Sequence, residues 1–296
     1  MSALRRLIVG FPALWLLLFF LAPFALVAKI SLSRPAIAQP PYEPTFSLTD
    51  GFAGLIKKLQ SLSLEAYGLI LDDDLYLAAS LSSLRLAAIA TGITLLVAFP
   101  LAHAMTRAPV RWRPVLVLLA IAPFWTSFLI RIYAWIMILK DEGLLNHALM
   151  SLHLIDTPLS IFASETAVVI GIVYSYLPFM VLPIYTALDR QDATLLEAAA
   201  DLGATPLRAF WRITVPLARP GIIAGVLLVF IPAVGEFVIP DLLGGSDTLM
   251  IGRTLWTEFF ENRDWPAASA VAIVLLVLLL VPMLLQERLQ AKDRMS

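Results

Sequence analysis

The sequence contains no cysteine. Disulfides, zinc–thiolate centres, iron–sulfur clusters and a thiol nucleophile are therefore excluded. Histidine is scarce: His103, His147 and His153 are the only three, and none stands at metal-ligand spacing from another. No H-E-x-x-H and no G-x-S-x-G occur, so neither a zinc-protease helix nor a serine nucleophile elbow is present. No G-x-x-x-x-G-K-[ST] occurs either, so the chain has no loop of its own to cradle ATP phosphates. Charge is thin: Asp, Glu, Lys and Arg make up 15% of the residues, against about 25% in an average soluble protein. The net charge of −1 excludes a globally basic nucleic-acid binder. In place of all this stands apolar surface. Sixty per cent of the 296 residues are hydrophobic, and the mean hydropathy is +0.86. A soluble fold of this size cannot hide so much, and a disordered chain would not carry it.

The solvent for most of the chain is therefore lipid. A hydrocarbon core of about 30 Å needs about 20 apolar residues in a helix. Six stretches satisfy this: 7–30, 81–102, 114–139, 167–188, 221–239 and 266–285. The first is too long for a signal-peptide core and lacks a small-residue cleavage site after it, so it reads as a retained anchor. The expectation is an all-α integral membrane protein forming one transmembrane domain over 1–296. Lys and Arg set its orientation. The flanks 1–6, 103–113, 189–219 and 286–296 hold twelve of them; the flanks 31–77, 140–160 and 240–264 hold six in a greater length. The first set is expected to be cytoplasmic, with both termini inside. The acids run the other way, 14 on the outer flanks and six on the inner, which gives the outer face a potential favouring cations.

The outer segment 31–77 is the one long loop. It opens on Pro35, Pro40, Pro41 and Pro44, which forbid a helix. Phe52, Leu55, Ile56 and Leu59 then recur at helical spacing around Lys57 and Lys58. That predicts an amphipathic helix, lying on the bilayer surface or offering a docking face to an extracytoplasmic partner.

The longest inner loop, 189–219, reads as a helical hairpin. Ala193–Leu202 is rich in helix formers and ends at Gly203, a natural left-handed C-cap. Thr205 is placed to cap a second helix, with Pro206 at its first position. Glu197-Ala198-Ala199, then Gly203, then after nine residues Ile213-x-Val215-Pro216 resembles the EAA loop of ABC-importer permeases, E-A-A-x-x-x-G followed by I-x-L-P. The only departure is Val215 for leucine, a mild apolar exchange. The resemblance implies the type I, MetI-like permease fold in the bacterial inner membrane. It also implies that Glu197, Ala198, Ala199, Gly203, Ile213 and Pro216 form the coupling loop seated on an ATPase. This chain would then be no enzyme and bind no cofactor, ATP and Mg being held by a homodimeric ABC ATPase. A second homologous permease and a periplasmic binding protein would complete the system.

The stretches FWTSFLIRIYAW (124–135), YLPFMVLPIYTALDR (176–190), FIPAVGEFVIPDLLGG (230–245) and EFFENRDWPAASAVAI (258–273) further resemble the permeases of polyamine importers, those of the putrescine type most. Spermidine is the next cargo to consider, and the wider group also carries iron, phosphonates and opines. Outside this class, an ion-driven secondary transporter would need no cytoplasmic partner and would often show inverted repeats. No repeat is detected. A non-transporting membrane scaffold is the remaining alternative.

A linear polycation needs carboxylates for its ammonium groups and aromatic faces for its methylenes. Glu236 is the leading candidate, an ionisable residue inside a span, between Pro232 and Pro240, where the helix must be irregular. Asp241 follows at the mouth. Trp125, Tyr133, Trp135 and Tyr174, with Tyr176, are the aromatic candidates. Arg131 is expected at similar depth, so an internal Glu236–Arg131 ion pair competes with the ligand reading. Gly221-x-x-x-Gly225 is expected to pack its span closely against a neighbour.

Overall fold

The computed structural model describes residues 3–46 and 51–293. It divides into two units, one from residues up to 79 together with those from 254 onward, the other from 80–253.

In the first unit, α1 (Ala3–Leu16) passes through a π-helical turn at Leu17–Leu21 into α2 (Ala22–Ser31). A two-stranded ribbon follows, β1 (Arg34–Pro35) against β2 (Tyr42–Glu43), pairing Arg34 with Glu43 and Pro35 with Tyr42. The prolines thus give a ribbon instead of a helix. Lys29 closes its base: the ammonium donates to the Pro44 carbonyl and lies 4.1 Å from the Tyr42 ring centroid. The expected amphipathic segment is α3 (Gly51–Gln60), and a further short helix, α4 (Glu65–Asp72), precedes the long α5 (Asp74–Arg107).

The second unit takes most of α5, then α6 (Arg113–Ile121), α7 (Phe128–Leu139), α8 (Leu144–Ser151) and α9 (Glu165–Asp189). Span 114–139 is not one straight helix, as the hydropathy alone suggested. A 3-10 turn at Ala122–Trp125 carries Pro123, Thr126 and Ser127 are extended, and the helical axis turns by 88° before α7. Proline within the turn removes a helical donor, and the two extended residues end the hydrogen-bond ladder. Buried Asn146 pins the connection to α9, accepting from Leu159 N at 2.8 Å and donating to Leu159 O at 3.0 Å. Ser164 caps α9, accepting from Ala167 N.

Beyond α9 come α10 (Thr194–Asp201), α11 (Pro206–Ala209), α12 (Val215–Val234), α13 (Val238–Leu243) and α14 (Ile251–Trp256). A π-helical turn at Phe210–Thr214 joins α11 to α12, so the helix runs unbroken over Pro206–Val234. The helix that carries the stretch expected to span from 221 thus begins at Pro206, and the hairpin's second arm is continuous with it. Its far end also differs, since α12 stops at Val234 and α13 restarts at Val238.

The last helix, α15 (Trp265–Asp293), returns to the first unit, where it packs on α2 and α4. Tyr76 donates to Glu258 Oε1 at 3.2 Å and Asn262 to Glu258 Oε2 at 3.0 Å.

Among the described residues, four helices are long and apolar enough to cross a membrane: Gly10–Ser31, Asp74–Arg107, Glu165–Asp189 and Pro206–Val234. The bent pair Val110–Trp125 and Phe128–Ser151 makes a fifth crossing if it is one span, and Trp265–Leu280 is a shorter apolar helix. The core of the second unit lies where α5, α9 and α12 meet, around Ala98, Ala102, Met180, Ile184, Ala218 and Val229.

Glycine brings α9 and α12 together. A Cβ on Gly221 would stand 2.5 Å from the Pro183 carbonyl oxygen and 2.6 Å from Ala187 Cβ. One on Gly225 would stand 2.7 Å from Met180 Sδ. The small-xxx-small spacing is therefore a helix contact within this chain. Gly221→Val is expected to force the helices apart at a cost of about 1–3 kcal/mol, typical of overpacking. Thermal unfolding in detergent should show a lowered midpoint. Gly92→Ala, where a Cβ meets nothing within 4 Å, is the matched control. An unchanged midpoint for Gly221→Val would contradict the close contact.

Candidate functional site

The hairpin at 189–219 is built from local capping. Asp192 accepts from Thr194 N at 3.0 Å, a bond that holds its carboxyl below the usual range. α10 closes on Gly203, which has φ +77°, and Ala204 N donates to Ala199 O at 2.9 Å. Thr205 Oγ1 then accepts from Arg208 N at 3.4 Å, and Pro206 occupies the first turn. Of the residues expected to meet an ATPase, Glu197, Ala198, Gly203 and Pro216 are exposed, Ile213 is half-buried and Ala199 is buried. Leu202, Leu207 and Trp211 are 89%, 70% and 62% exposed, an apolar face that none of the described residues covers.

Two ties fix the hairpin to the helices above it. Gln191 Nε2 donates to Thr214 O at 3.0 Å, bridging the end of α9 to the start of α12. Phe210 stands edge-on to Phe99 at 5.6 Å and to His103 at 5.8 Å, both on α5. The hairpin is thus in contact with α5, α9 and α12. Arg113 adds an ion pair with Asp189 at 2.9 Å.

The second cluster lies at the break between α12 and α13. Glu236 is buried, at 8% exposure. Its Oε1 accepts from Val238 N at 3.1 Å and Ile239 N at 3.4 Å, and its Oε2 accepts from the Tyr176 hydroxyl. The carboxylate therefore caps the short α13. No Lys or Arg pairs with it among the described residues. Gly252 leaves room for this turn, since a Cβ there would lie 2.4 Å from Gly235 O and 2.6 Å from Glu236 O.

Arg131 does not form the ion pair that the sequence left open. Its Nε and Nη1 are buried without a hydrogen-bond partner, and its guanidinium carbon lies 5.6 Å from the Phe124 ring centroid and 5.7 Å from that of Phe128. Between the two charges runs a row of rings. Tyr176 and Phe179 have centroids 6.0 Å apart, and Phe179 and Phe124 5.0 Å apart. Phe179 also lines a groove of about 870 Å³ between α9 and α12, with Pro183, Thr186, Gly221 and Leu228, that reaches Gln191 at the hairpin.

The other expected pathway residues fall elsewhere. Asp241 is ion-paired with Arg253 at 3.4 Å. Trp135 and Tyr174 contact each other edge-on at 5.4 Å. Trp125 and Tyr133 are 73% and 55% exposed and take no part in the row. Phe124 and Phe179, which the sequence reading did not single out, are the rings that adjoin Tyr176 and Arg131. The spacing of Tyr176 and Phe179 on one helix was visible; the approach of Phe124 to Phe179, 55 residues away in sequence, was not.

The family described as binding-protein-dependent transport system inner membrane component matches residues 2–294. The chain belongs to this family. Among its curated relatives is the spermidine/putrescine transport system permease protein PotB of Escherichia coli (strain K12), 41% identical over 265 residues and 90% of each chain. The PotB of Haemophilus influenzae is 46% identical over 205 residues, 69% of this chain and 72% of that one. Solved structures agree on the fold. A bacterial ABC transporter for the import of alginate superposes with a TM-score of 0.70 over 98% of this chain and 95% of that one, at 15% identity. The MetNI methionine ABC transporter gives 0.54 over 73% and 94%, at 16% identity. Binding-protein-dependent permeases of this kind are multi-pass inner-membrane subunits with the MetI-like fold. They are transport components, not enzymes, and the ion-driven transporter and scaffold readings give way to this one.

Proposed function

We propose that the chain is the permease of a polyamine importer, with putrescine its first cargo and spermidine its second. The observation that carries this is the 41% identity to PotB across 90% of both chains. The buried, uncompensated Glu236 carboxylate supports it, because a cationic cargo would supply the missing charge. In this reading the chain crosses the membrane six times with both termini cytoplasmic. It pairs with a second permease, receives cargo from a periplasmic polyamine-binding protein, and seats residues 197–203, Ile213 and Pro216 in a homodimeric ATPase. ATP binding closes the ATPase dimer, the hairpin follows, and the ties through Gln191 and Phe210 move α5, α9 and α12. ATP must bind the two states differently for this to proceed. Cargo from the binding protein then meets Glu236.

Uptake of labelled putrescine, spermidine and 2-aminoethylphosphonate in a strain lacking its own polyamine importers tests the cargo, with the whole operon supplied. Saturable uptake of a polyamine, absent without this chain, is the expected result. Uptake of the phosphonate alone would replace the reading.

The ATPase contact has its own test. Glu197 is exposed and unpaired among the described residues. Glu197→Lys should reverse a favourable charge against a basic groove and reduce co-purification of the ATPase about tenfold, a loss of roughly 1.4 kcal/mol. Glu197→Gln should lose less. Undiminished ATPase stoichiometry in the lysine variant would count against this contact.

A further inference from the structure

Glu236 and Arg131 stand at the two ends of one aromatic row; among the described residues, the first has no paired cation and the second no paired anion. The row is Tyr176, Phe179 and Phe124, in steps of 6.0 and 5.0 Å, with the guanidinium 5.6 Å beyond the last ring centroid. Tyr176 is half-buried, and Phe179 and Phe124 are 40% and 37% exposed, so each ring keeps surface for a ligand. A guanidinium with two buried, unsatisfied donors is costly to leave in a membrane protein, which asks what it does there.

We infer that Arg131 is a specificity residue: it ends the aromatic row with a like charge and so favours a short diamine over a longer polyamine. The inference rests on the polyamine reading above. An ammonium group anchored on Glu236 places its methylenes over the rings, whose faces attract cations and pack alkyl chains. In an extended four-carbon diamine the nitrogens are ~6 Å apart, from standard bond lengths. Its second ammonium then comes to the middle of the row. A triamine longer by an aminopropyl unit carries a third charge about 5 Å further, toward Phe124. That ring already interacts with the Arg131 guanidinium, so the added cation meets repulsion where a diamine meets none. Rejecting the longer ligand by a built-in like charge is the usual device by which a site that attracts a class separates its members.

The test compares kcat/KM for putrescine and spermidine in proteoliposomes holding the whole importer, with the binding protein saturated by each polyamine in turn. Arg131→Gln is expected to raise the spermidine-to-putrescine ratio about tenfold, a modest share of the repulsion between unit charges at this spacing. Arg131→Lys keeps the charge and should hold the ratio within about twofold of wild type. Arg131→Met, which removes the buried donors, guards against misfolding and should shift the ratio like glutamine. An unchanged ratio in both neutral variants overturns the inference. So does a ratio unchanged with the second permease lost on purification, which would make Arg131 a subunit contact. Failure of wild type to carry any polyamine is a different outcome: it removes the cargo reading itself.

Discussion

Gly203→Val should cut uptake at least tenfold while the protein inserts and accumulates normally. Gly203 has φ +77°, and a Cβ there would meet nothing within 4 Å. The substitution therefore creates no clash, and its whole effect passes through the backbone. A β-branched residue in this region costs on the order of 1–3 kcal/mol. The hairpin can avoid that strain only by opening the turn, which breaks the bonds from Gly203 N to Ala200 O and from Ala204 N to Ala199 O. The Thr205 cap and Pro206 follow directly, so the second arm changes direction. Because that arm is continuous with α12, a local change is delivered to a long helix. ATP hydrolysis and uptake, measured on the same vesicles, should come apart. Gly203→Asn, which tolerates the left-handed region, should remain close to wild type. Wild-type uptake at normal level in the valine variant would defeat the coupling role.

Glu236→Gln should weaken uptake by about one to two decades. Glutamine keeps the size, the acceptor for Val238 N and Ile239 N, and a polar group facing Tyr176. What it removes is the charge, and a charge-assisted bond to an ammonium is worth roughly 1.5–3 kcal/mol. Protein level should be normal, because no ion pair is broken. Glu236→Ala removes the acceptor for three donors and should lower the level as well as uptake. A double-mutant cycle with Arg131→Gln, level and putrescine uptake scored separately, completes the experiment. The absence of a contact between the two side chains predicts no rescue of putrescine uptake. Recovery of both level and uptake in the double variant would mean the charges pair in the working protein, and the ligand role would fall.

Local features of the site were legible in the sequence where the chain alone fixes them. A glycine after a run of helix formers, then Thr205 and Pro206, specifies a hairpin because capping involves only neighbouring backbone groups. Irregularity around Glu236 was legible because Pro232, Gly235 and Pro240 each weaken a helix, although both prolines lie within helices and the break itself falls at residues 235–237. Partners across space were less legible. An Arg131–Glu236 ion pair stayed open as a competing reading because depth along a span says nothing about rotation around it or about bends. Packing against Phe179 brings Phe124, not Trp125 or Tyr133, to the row.

Composition and periodicity by themselves determined that this chain lives in lipid, is helical and carries a capped hairpin. Those properties depend on residue type and on neighbours a few positions away. Tertiary structure alone decided that Gly221 and Gly225 face α9, that Gln191 and Phe210 tie the hairpin to three helices, and that Glu236 caps α13 through two amides while Tyr176 donates to it. It also decided that Asp241 belongs to Arg253 and that Arg131 stands apart across a row of rings. Such contacts join residues far apart in sequence, and their geometry is set by how helices bend and pack, which no local pattern encodes.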